Sequence, residues 1–109
     1  MRFGDVYPLY VQKVEKKDRT KKELNDVIEW LTGYNSDEIL LIANDDFTFE
    51  EFFNNAPKLN PERKLIKGLI CGIRVEEIKE PLMQEIRYLD KIVDELAKGK
   101  NIDSIKRSV

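Results

Sequence analysis

The sequence contains no histidine, one cysteine and no long apolar run. Without histidine the usual catalytic triads, an imidazole general base and most zinc sites are excluded. One cysteine cannot form an intramolecular disulfide, which suits a reducing compartment such as the cytoplasm. No apolar run approaches the roughly 18 residues of a membrane span, and the start MRFGDVYPLY lacks the basic-then-apolar order of a secretory signal. We therefore expect a cytoplasmic protein with no membrane segment.

Charge, in contrast, is abundant and nearly balanced. The 19 Lys and Arg residues and the 21 Asp and Glu residues leave a formal net charge of −2, so total charge does not favour a polyanion-binding protein. A hydrophobic content of 41% is enough for one core, and 109 residues is the length of one domain. We predict a single helical domain over residues 1–109.

Helical spacing and capping signals recur along the chain. The apolar pattern predicts a first helix from about Val6 to Lys17, with Asp5 as its N-cap. The segment TKKE forms a capping box in which Thr20 is the cap of a second helix. Gly33 then fits the left-handed position at that helix's C-terminus.

Four further helices are predicted after Gly33. Ser36 is the expected cap of SDEILLIAN, Thr48 and Glu51 form a capping box for FTFEEFFNNAP, and Pro61 takes the favoured first position of NPERKLIKGLICG. Pro81 begins the longest helix, which runs to about Lys98, and its spacing predicts that Arg87 pairs with Asp90 and Asp94 with Lys98. Hairpin signals such as Asn-Gly and Asp-Gly are absent, although ICGIRV would also suit a strand. The prediction is an all-α fold, a compact orthogonal or irregular bundle of five to six helices.

Cys71 lies between two glycines at the end of the fifth predicted helix. The second glycine stands where a helix C-cap is expected, and the apolar neighbours predict that Cys71 is a small buried hydrophobe. The alternative is a thiol activated by a nearby guanidinium, in a pocket for a small ligand or an enzyme's substrate. The residues of that alternative are Arg63, Cys71, Arg74, Arg87 and Tyr88.

Charge is also unevenly distributed along the chain. A basic segment at residues 13–22 crosses a helix-turn-helix-like pair and suggests phosphate contact. Its cations are Lys13, Lys16, Lys17, Arg19, Lys21 and Lys22. The next helix, however, would bring Asp37 and Glu38 towards a polyanion, so nucleic-acid binding is the less favoured reading. The acidic residues between 37 and 51 lack the spacing of a calcium loop, and we predict no metal and no cofactor.

Three long stretches resemble one known family. They are VYPLYVQKVEKKDRTKKELNDVIEWLTGY, NPERKLIKGLICGIRVEEI and PLMQEIRYLDKIVDELAKGK, and together they are similar to a bacterial family of uncharacterised proteins, domain-of-unknown-function family twenty-two hundred. The resemblance extends over about residues 3–105. It implies a small all-helical bacterial protein without a signal peptide. The family has no assigned activity, so the resemblance implies no catalytic or ligand residues.

The function is therefore predicted from the functional motifs that the sequence lacks. The chain has no recognisable set of catalytic groups, no phosphate-binding loop and no metal-ligand spacing. We predict a small non-enzymatic cytoplasmic interaction module that binds an unknown protein partner or forms a homodimer. Such a module should expose an apolar patch on the order of several hundred Å². The alternatives are nucleic-acid binding through residues 13–22 and a small-ligand protein or enzyme with a pocket near Cys71.

Overall fold

A computed structural model describes residues 1–107, which contain six α-helices and one small hairpin. The α-helices are α1 Phe3–Glu15, α2 Lys21–Thr32, α3 Ser36–Ala43, α4 Phe49–Asn54, α5 Pro81–Ala97 and α6 Ile102–Ile105. The strands are β1 Leu69–Ile70 and β2 Ile73–Arg74, and 3-10 turns span Pro61–Leu65 and Val75–Glu77. Helix α5 contacts α1, α2, α4, α6 and the hairpin. The predicted helical bundle is confirmed, and α5 is its centre.

The first helix begins three residues before its predicted start. Its N-cap is Arg2 rather than Asp5, which lies in the first turn. The amide of Phe3 donates to the carbonyl of Phe47 at 3.0 Å, so a contact distant in sequence sets where the helix begins. Pro8 consequently lies inside the helix rather than in its first turn, at the cost of one backbone hydrogen bond.

The capping boxes predicted at Thr20 and Thr48 are confirmed. Thr20 Oγ1 accepts from the Glu23 amide at 3.1 Å, while Glu23 Oε1 accepts from the Thr20 amide at 2.9 Å. The third helix, however, is capped by Asn35, one residue before the predicted Ser36, in a further capping box. Asparagine and serine are equally good N-caps, so the sequence left this choice open by one position.

The predicted fifth helix, NPERKLIKGLICG, is wrong. Only a short 3-10 turn forms over Pro61–Leu65, and the chain then makes the antiparallel hairpin of β1 and β2. Cys71 and Gly72 are the two turn residues, with φ angles of +52° and +78°. Positive φ at both positions gives the two-residue turn that matches strand twist. Gly72 is therefore a turn glycine, and Cys71 is exposed rather than a buried hydrophobe.

Glycine content and core contacts together explain why this segment is not helical. Gly68 has a φ of +110°, outside the helical region, and each glycine costs a helix about 1 kcal/mol relative to alanine. The extended path also buries Ile66, Ile70 and Val75 against the core. Burial of each such side chain contributes about 1.5–3 kcal/mol, so packing outweighs the local helix signal.

An aromatic cluster fills the core between α1 and α4. Phe3 and Phe52 are fully buried, and their rings stack with centroids 4.2 Å apart and planes 8° apart. Phe49 and Phe53 contact Phe52 edge to face. The Tyr34 hydroxyl donates to the Phe52 carbonyl at 2.7 Å. The cluster thereby joins α1, α4 and the residues that follow α2.

One carboxylate of α5 ties this helix to α1. Asp94 accepts from Lys98 at 3.0 Å, as its spacing predicted, and from Lys13 of α1 at 3.2 Å. Burial acts to raise the pKa of Asp94, but the hydrogen bonds from Lys98 and Lys13 outweigh burial and lower the pKa below its ordinary value. The charged carboxylate is therefore the form that stabilises the fold.

Replacement of Phe52 by Ala should lower the free energy of unfolding by about 3–5 kcal/mol, because it removes the ring against which Phe3 stacks and leaves a cavity. Urea unfolding followed by circular dichroism measures the change. Leu69→Ala is the control: Leu69 is 57% exposed, so this variant should change the free energy little. A loss below about 1 kcal/mol for Phe52→Ala would contradict the central position of this ring.

Substitution of Cys71 in the hairpin turn should change the stability of the protein. Cys71→Asn should raise the free energy of unfolding by up to about 1 kcal/mol, because asparagine tolerates a positive φ better than cysteine does. Cys71→Val, with a β-branched side chain, should lower it. Thermal unfolding of the two variants gives their order of stability. A Cys71→Val variant that is more stable than Cys71→Asn would contradict this turn conformation.

Asp94→Asn should destabilise the protein by about 1 kcal/mol at pH 7. Because the folded pKa is lowered, the contribution of Asp94 is complete above the unfolded pKa of about 3.9 and is lost as pH falls through the folded pKa. The difference between wild type and variant should therefore shrink below about pH 4. Urea unfolding from pH 7 to pH 3, with Asp103→Asn as an exposed control, tests this, and a constant difference would refute it.

Candidate functional site

Two of the predicted pocket residues, Arg63 and Tyr88, line a cleft of about 490 Å³ between α4 and the start of α5. Arg63 Nε donates to Glu85 Oε1 at 2.9 Å, and Arg63 Nη1 donates to the Asn60 carbonyl at 2.8 Å. Burial, and then the Glu85 carboxylate, raise the pKa of Tyr88. The cleft has the volume of a small-ligand site, but its arginine is already paired and its phenol stays protonated at neutral pH.

Cys71 and Arg87 meet elsewhere, where the hairpin crosses α5. Arg87 Nη1 lies 3.6 Å from Cys71 Sγ and donates to Asp90 Oδ2 at 2.8 Å, which confirms the predicted pair on α5. The Tyr10 hydroxyl donates to the other oxygen of Asp90. Burial first, and then Asp90, raise the pKa of Tyr10, so the phenol keeps its proton. The guanidinium beside the thiol is thus already held by a carboxylate.

Arg74 lies on a third surface of the protein. It is exposed on β2, and its Nη1 lies 3.9 Å from Glu76 Oε2, a distance too long for a hydrogen bond. The five predicted pocket residues are therefore distributed over three surfaces. Neither Cys71 nor Arg74 is part of the lining of the 490 Å³ cleft.

The basic segment is divided between paired and exposed cations. Lys13 pairs with Asp94 at 3.2 Å, and Arg19 pairs with Glu23 at 3.1 Å. The ammonium of Lys21 lies 6.0 Å from the centroid of a tyrosine ring of α1. Lys16, Lys17 and Lys22 are exposed and make no ion pair with another residue among 1–107. Half of the six candidate phosphate contacts are thus engaged within the protein.

The acidic residues between 37 and 51 have structural roles in part. Glu38 and Glu51 complete capping boxes, and Asp46 pairs with Arg2 at 2.7 Å. Within residues 1–107, no three Cys, Asp or Glu side chains are grouped in a way that would hold a metal ion.

A groove between α1 and α3 was not predicted from the sequence. It consists of two adjacent hollows of about 350 and 330 Å³, and Leu40 and Asn44 line both of them. Pro8 and Val11 line its α1 side, and Leu41 in the second hollow is 72% exposed. We call this surface, formed by Pro8, Val11, Leu40, Leu41 and Asn44, the α1–α3 groove.

The local sequence explains why α3 exposes leucine. Its run ILLI has four apolar residues in succession, and a helix turns through 100° per residue. Ile39 and Ile42 are buried in the core and Leu40 packs partly buried against it, so Leu41 is the residue of the run that points to solvent. Four consecutive apolar residues are more than one helix face can bury, and this was the signal available in the sequence.

The close approach of α1 and α3 depends on Gly4. A Cβ atom at this position would lie 2.3 Å from the carbonyl oxygen of Ala43, well inside van der Waals contact. Only glycine therefore allows the two helices to meet here, and their meeting forms the floor of the groove.

Comparison with known proteins agrees with the resemblance seen in the sequence. A family model described as "Uncharacterized protein conserved in bacteria (DUF2200)" matches residues 1–107. The chain is also similar to a solved structure, "Crystal structure of uncharacterized protein SP1917", with a TM-score of 0.89 and 48% identity, covering 96% of this chain and 86% of that chain. No curated protein matches the sequence.

None of these descriptions names an activity, a ligand or a partner. Within residues 1–107, no helix combines the length and the apolar character needed to cross a membrane. The matched model nevertheless covers nearly the whole chain, so this protein belongs to the bacterial DUF2200 family of uncharacterised proteins.

Proposed function

We propose that this protein is a non-enzymatic interaction module of the bacterial cytoplasm that binds a protein partner in the α1–α3 groove. The observation that carries the proposal is the 72% exposure of Leu41, which lines one of the two adjacent hollows of the groove. A single exposed leucine is ordinary, but exposed apolar side chains along a groove are typical of binding surfaces. An unpaired, exposed Cys71 is also in keeping with a reducing compartment.

The groove has the form that an amphipathic helix would occupy. Leu40 and Leu41 from α3, and Pro8 and Val11 from α1, offer apolar contacts on both sides. Grooves between two helices bind a third helix through apolar residues spaced three and four apart. A helix bound in the groove would therefore contact all four of these apolar side chains.

The charged residues around the groove indicate which charges a partner helix would carry along its edges. Asp37 lies in the hollow beside Leu41, and residues 37–51 contain no basic side chain. Lys21 lies at the opposite side, next to α1. A helix with basic residues along the edge facing α3 would complement this distribution.

The other two candidate functions have weaker support from the geometry. Arg63 in the 490 Å³ cleft is paired with Glu85, and Arg87 beside Cys71 is paired with Asp90. In the basic segment, Lys13 and Arg19 are paired with carboxylates.

Photo-crosslinking in bacterial cells tests the proposed groove directly. With benzoylphenylalanine at position 41, we expect a discrete protein adduct, because this side chain would face the partner. The same photoreactive residue at position 69 is the matched control, since Leu69 is also exposed but lies on the hairpin. Leu41→Asp should abolish binding of the captured partner while leaving the unfolding transition unchanged, because Leu41 makes little core contact.

The mass of the adduct distinguishes the two kinds of partner. An adduct of twice the 12.8 kDa chain identifies a second copy, and sedimentation of purified protein should then show a dimer. Any other discrete mass identifies a different protein. Identical adducts from positions 41 and 69, or none from position 41, would exclude the groove as the binding surface.

A further inference from the structure

Tyr88 differs from the other tyrosines of the protein in the bonding of its hydroxyl. The chain has four tyrosines, and each of them is at most 8% exposed. The hydroxyls of the other three donate to an acceptor within the protein, as buried phenols usually do. Tyr88 is 4% exposed, yet its hydroxyl makes no hydrogen bond with any residue among 1–107. Its donor is therefore left for a group from outside the fold.

The Tyr88 hydroxyl opens into the 490 Å³ cleft between α4 and the start of α5. Tyr88 lines this cleft, and the fully buried side-chain atom without a partner among residues 1–107 is Arg87 Nε. The unpartnered hydroxyl is thus not sealed in the core, and the small exposed part of Tyr88 includes its polar end. Burial, and then Glu85, raise the pKa of this phenol, so at neutral pH it keeps a proton that it can donate to a ligand.

Arg63 adds a second donor to the same cleft. Its Nε donates to the two oxygens of Glu85 at 2.9 and 3.1 Å, and its Nη1 donates to the Asn60 carbonyl at 2.8 Å. These bonds leave Nη2 without an acceptor among residues 1–107. Glu85 therefore balances the charge of Arg63 and holds its guanidinium in place, while the two N–H groups of Nη2 stay available.

Two unpaired charges and an apolar surface complete the cleft. Lys64 and Glu50 are exposed, line the cleft and make no ion pair with another residue among 1–107. Phe53, Leu59 and Leu82 add apolar side chains to the same lining. Small-molecule sites typically combine apolar walls with a few polar groups that fix the orientation of the ligand.

We propose that this cleft binds a small carboxylate with an apolar body. Its carboxylate would accept hydrogen bonds from the Tyr88 hydroxyl and from Arg63 Nη2, and its single negative charge matches that of the unpaired Lys64. An ammonium on the same ligand would complement Glu50, so apolar α-amino acids are the members of this class that match both charges. The cleft shares no lining residue with the α1–α3 groove, so this binding is independent of the proposed partner.

A titration with 3-phenylpropanoate, followed by nuclear magnetic resonance at constant ionic strength, tests the site. We expect saturable shifts of the Phe53, Arg63 and Tyr88 amide signals, with a dissociation constant in the low millimolar range or below, as ligand size predicts. The neutral 3-phenylpropanamide has the same shape and should bind about fivefold or more weakly, because its hydrogen bonds are not charge-assisted. In a parallel titration, tighter binding of L-phenylalanine than of 3-phenylpropanoate identifies an amino-acid site, and weaker binding identifies a site for simple carboxylates.

Tyr88→Phe removes the hydroxyl alone and should weaken the binding of 3-phenylpropanoate about tenfold. Because this hydroxyl has no partner among residues 1–107, the variant should not lower the melting temperature. Tyr10→Phe is the matched control with the opposite expectation. The Tyr10 hydroxyl donates to Asp90, so its loss should lower the melting temperature and leave the affinity for the probe unchanged.

A second pair of variants tests the charge of the ligand. Lys64→Gln should weaken the binding of 3-phenylpropanoate and leave that of 3-phenylpropanamide unchanged. Lys67→Gln changes an exposed lysine outside the cleft lining and should alter neither affinity. Shifts that do not saturate, equal affinities for the carboxylate and the amide, or an unchanged affinity in Tyr88→Phe would overturn the proposal.

Discussion

The stack of Phe3 on Phe52 holds the two ends of the first half of the chain together. It fixes the start of α1 against α4, and the amide of Phe3 adds a backbone bond to Phe47. Helices α2 and α3 lie between these segments in sequence. Gly4, next to Phe3, then brings the end of α3 against α1. The α1–α3 groove is thus a consequence of one aromatic contact and the glycine beside it.

Helix α5 organises the second half through its charges as much as through its apolar face. Asp90 receives the hydroxyl of Tyr10, Asp94 receives Lys13, and Glu95 receives Arg107. Asp90 and Asp94 therefore both hold α1, and Glu95 holds the residue Arg107 that follows α6. Charge-assisted hydrogen bonds at partly buried positions are worth more than exposed ion pairs.

The candidate sites show the limits of charge patterns in a sequence. Arg63 is paired with Glu85 across the cleft, and Arg87 is paired with Asp90 three residues further along α5. The groove was missed because Leu40 and Leu41 look like core residues in the run ILLI. Helical phase alone could have separated them from Ile39 and Ile42. The pairing of Arg107 with Glu95 was not predicted either, because no local pattern links two residues that are 12 positions apart.

The sequence by itself determined the features that depend on a few neighbouring residues. Capping boxes at Thr20 and Thr48, the glycine at the end of α2 and the start of α5 at Pro81 all formed as expected, because their hydrogen bonds close within one helical turn. Only the tertiary structure decided the path of residues 61–74. There the burial of Ile66 and Ile70 competes with a local helix signal, and the core, which is assembled from distant segments, favours the hairpin.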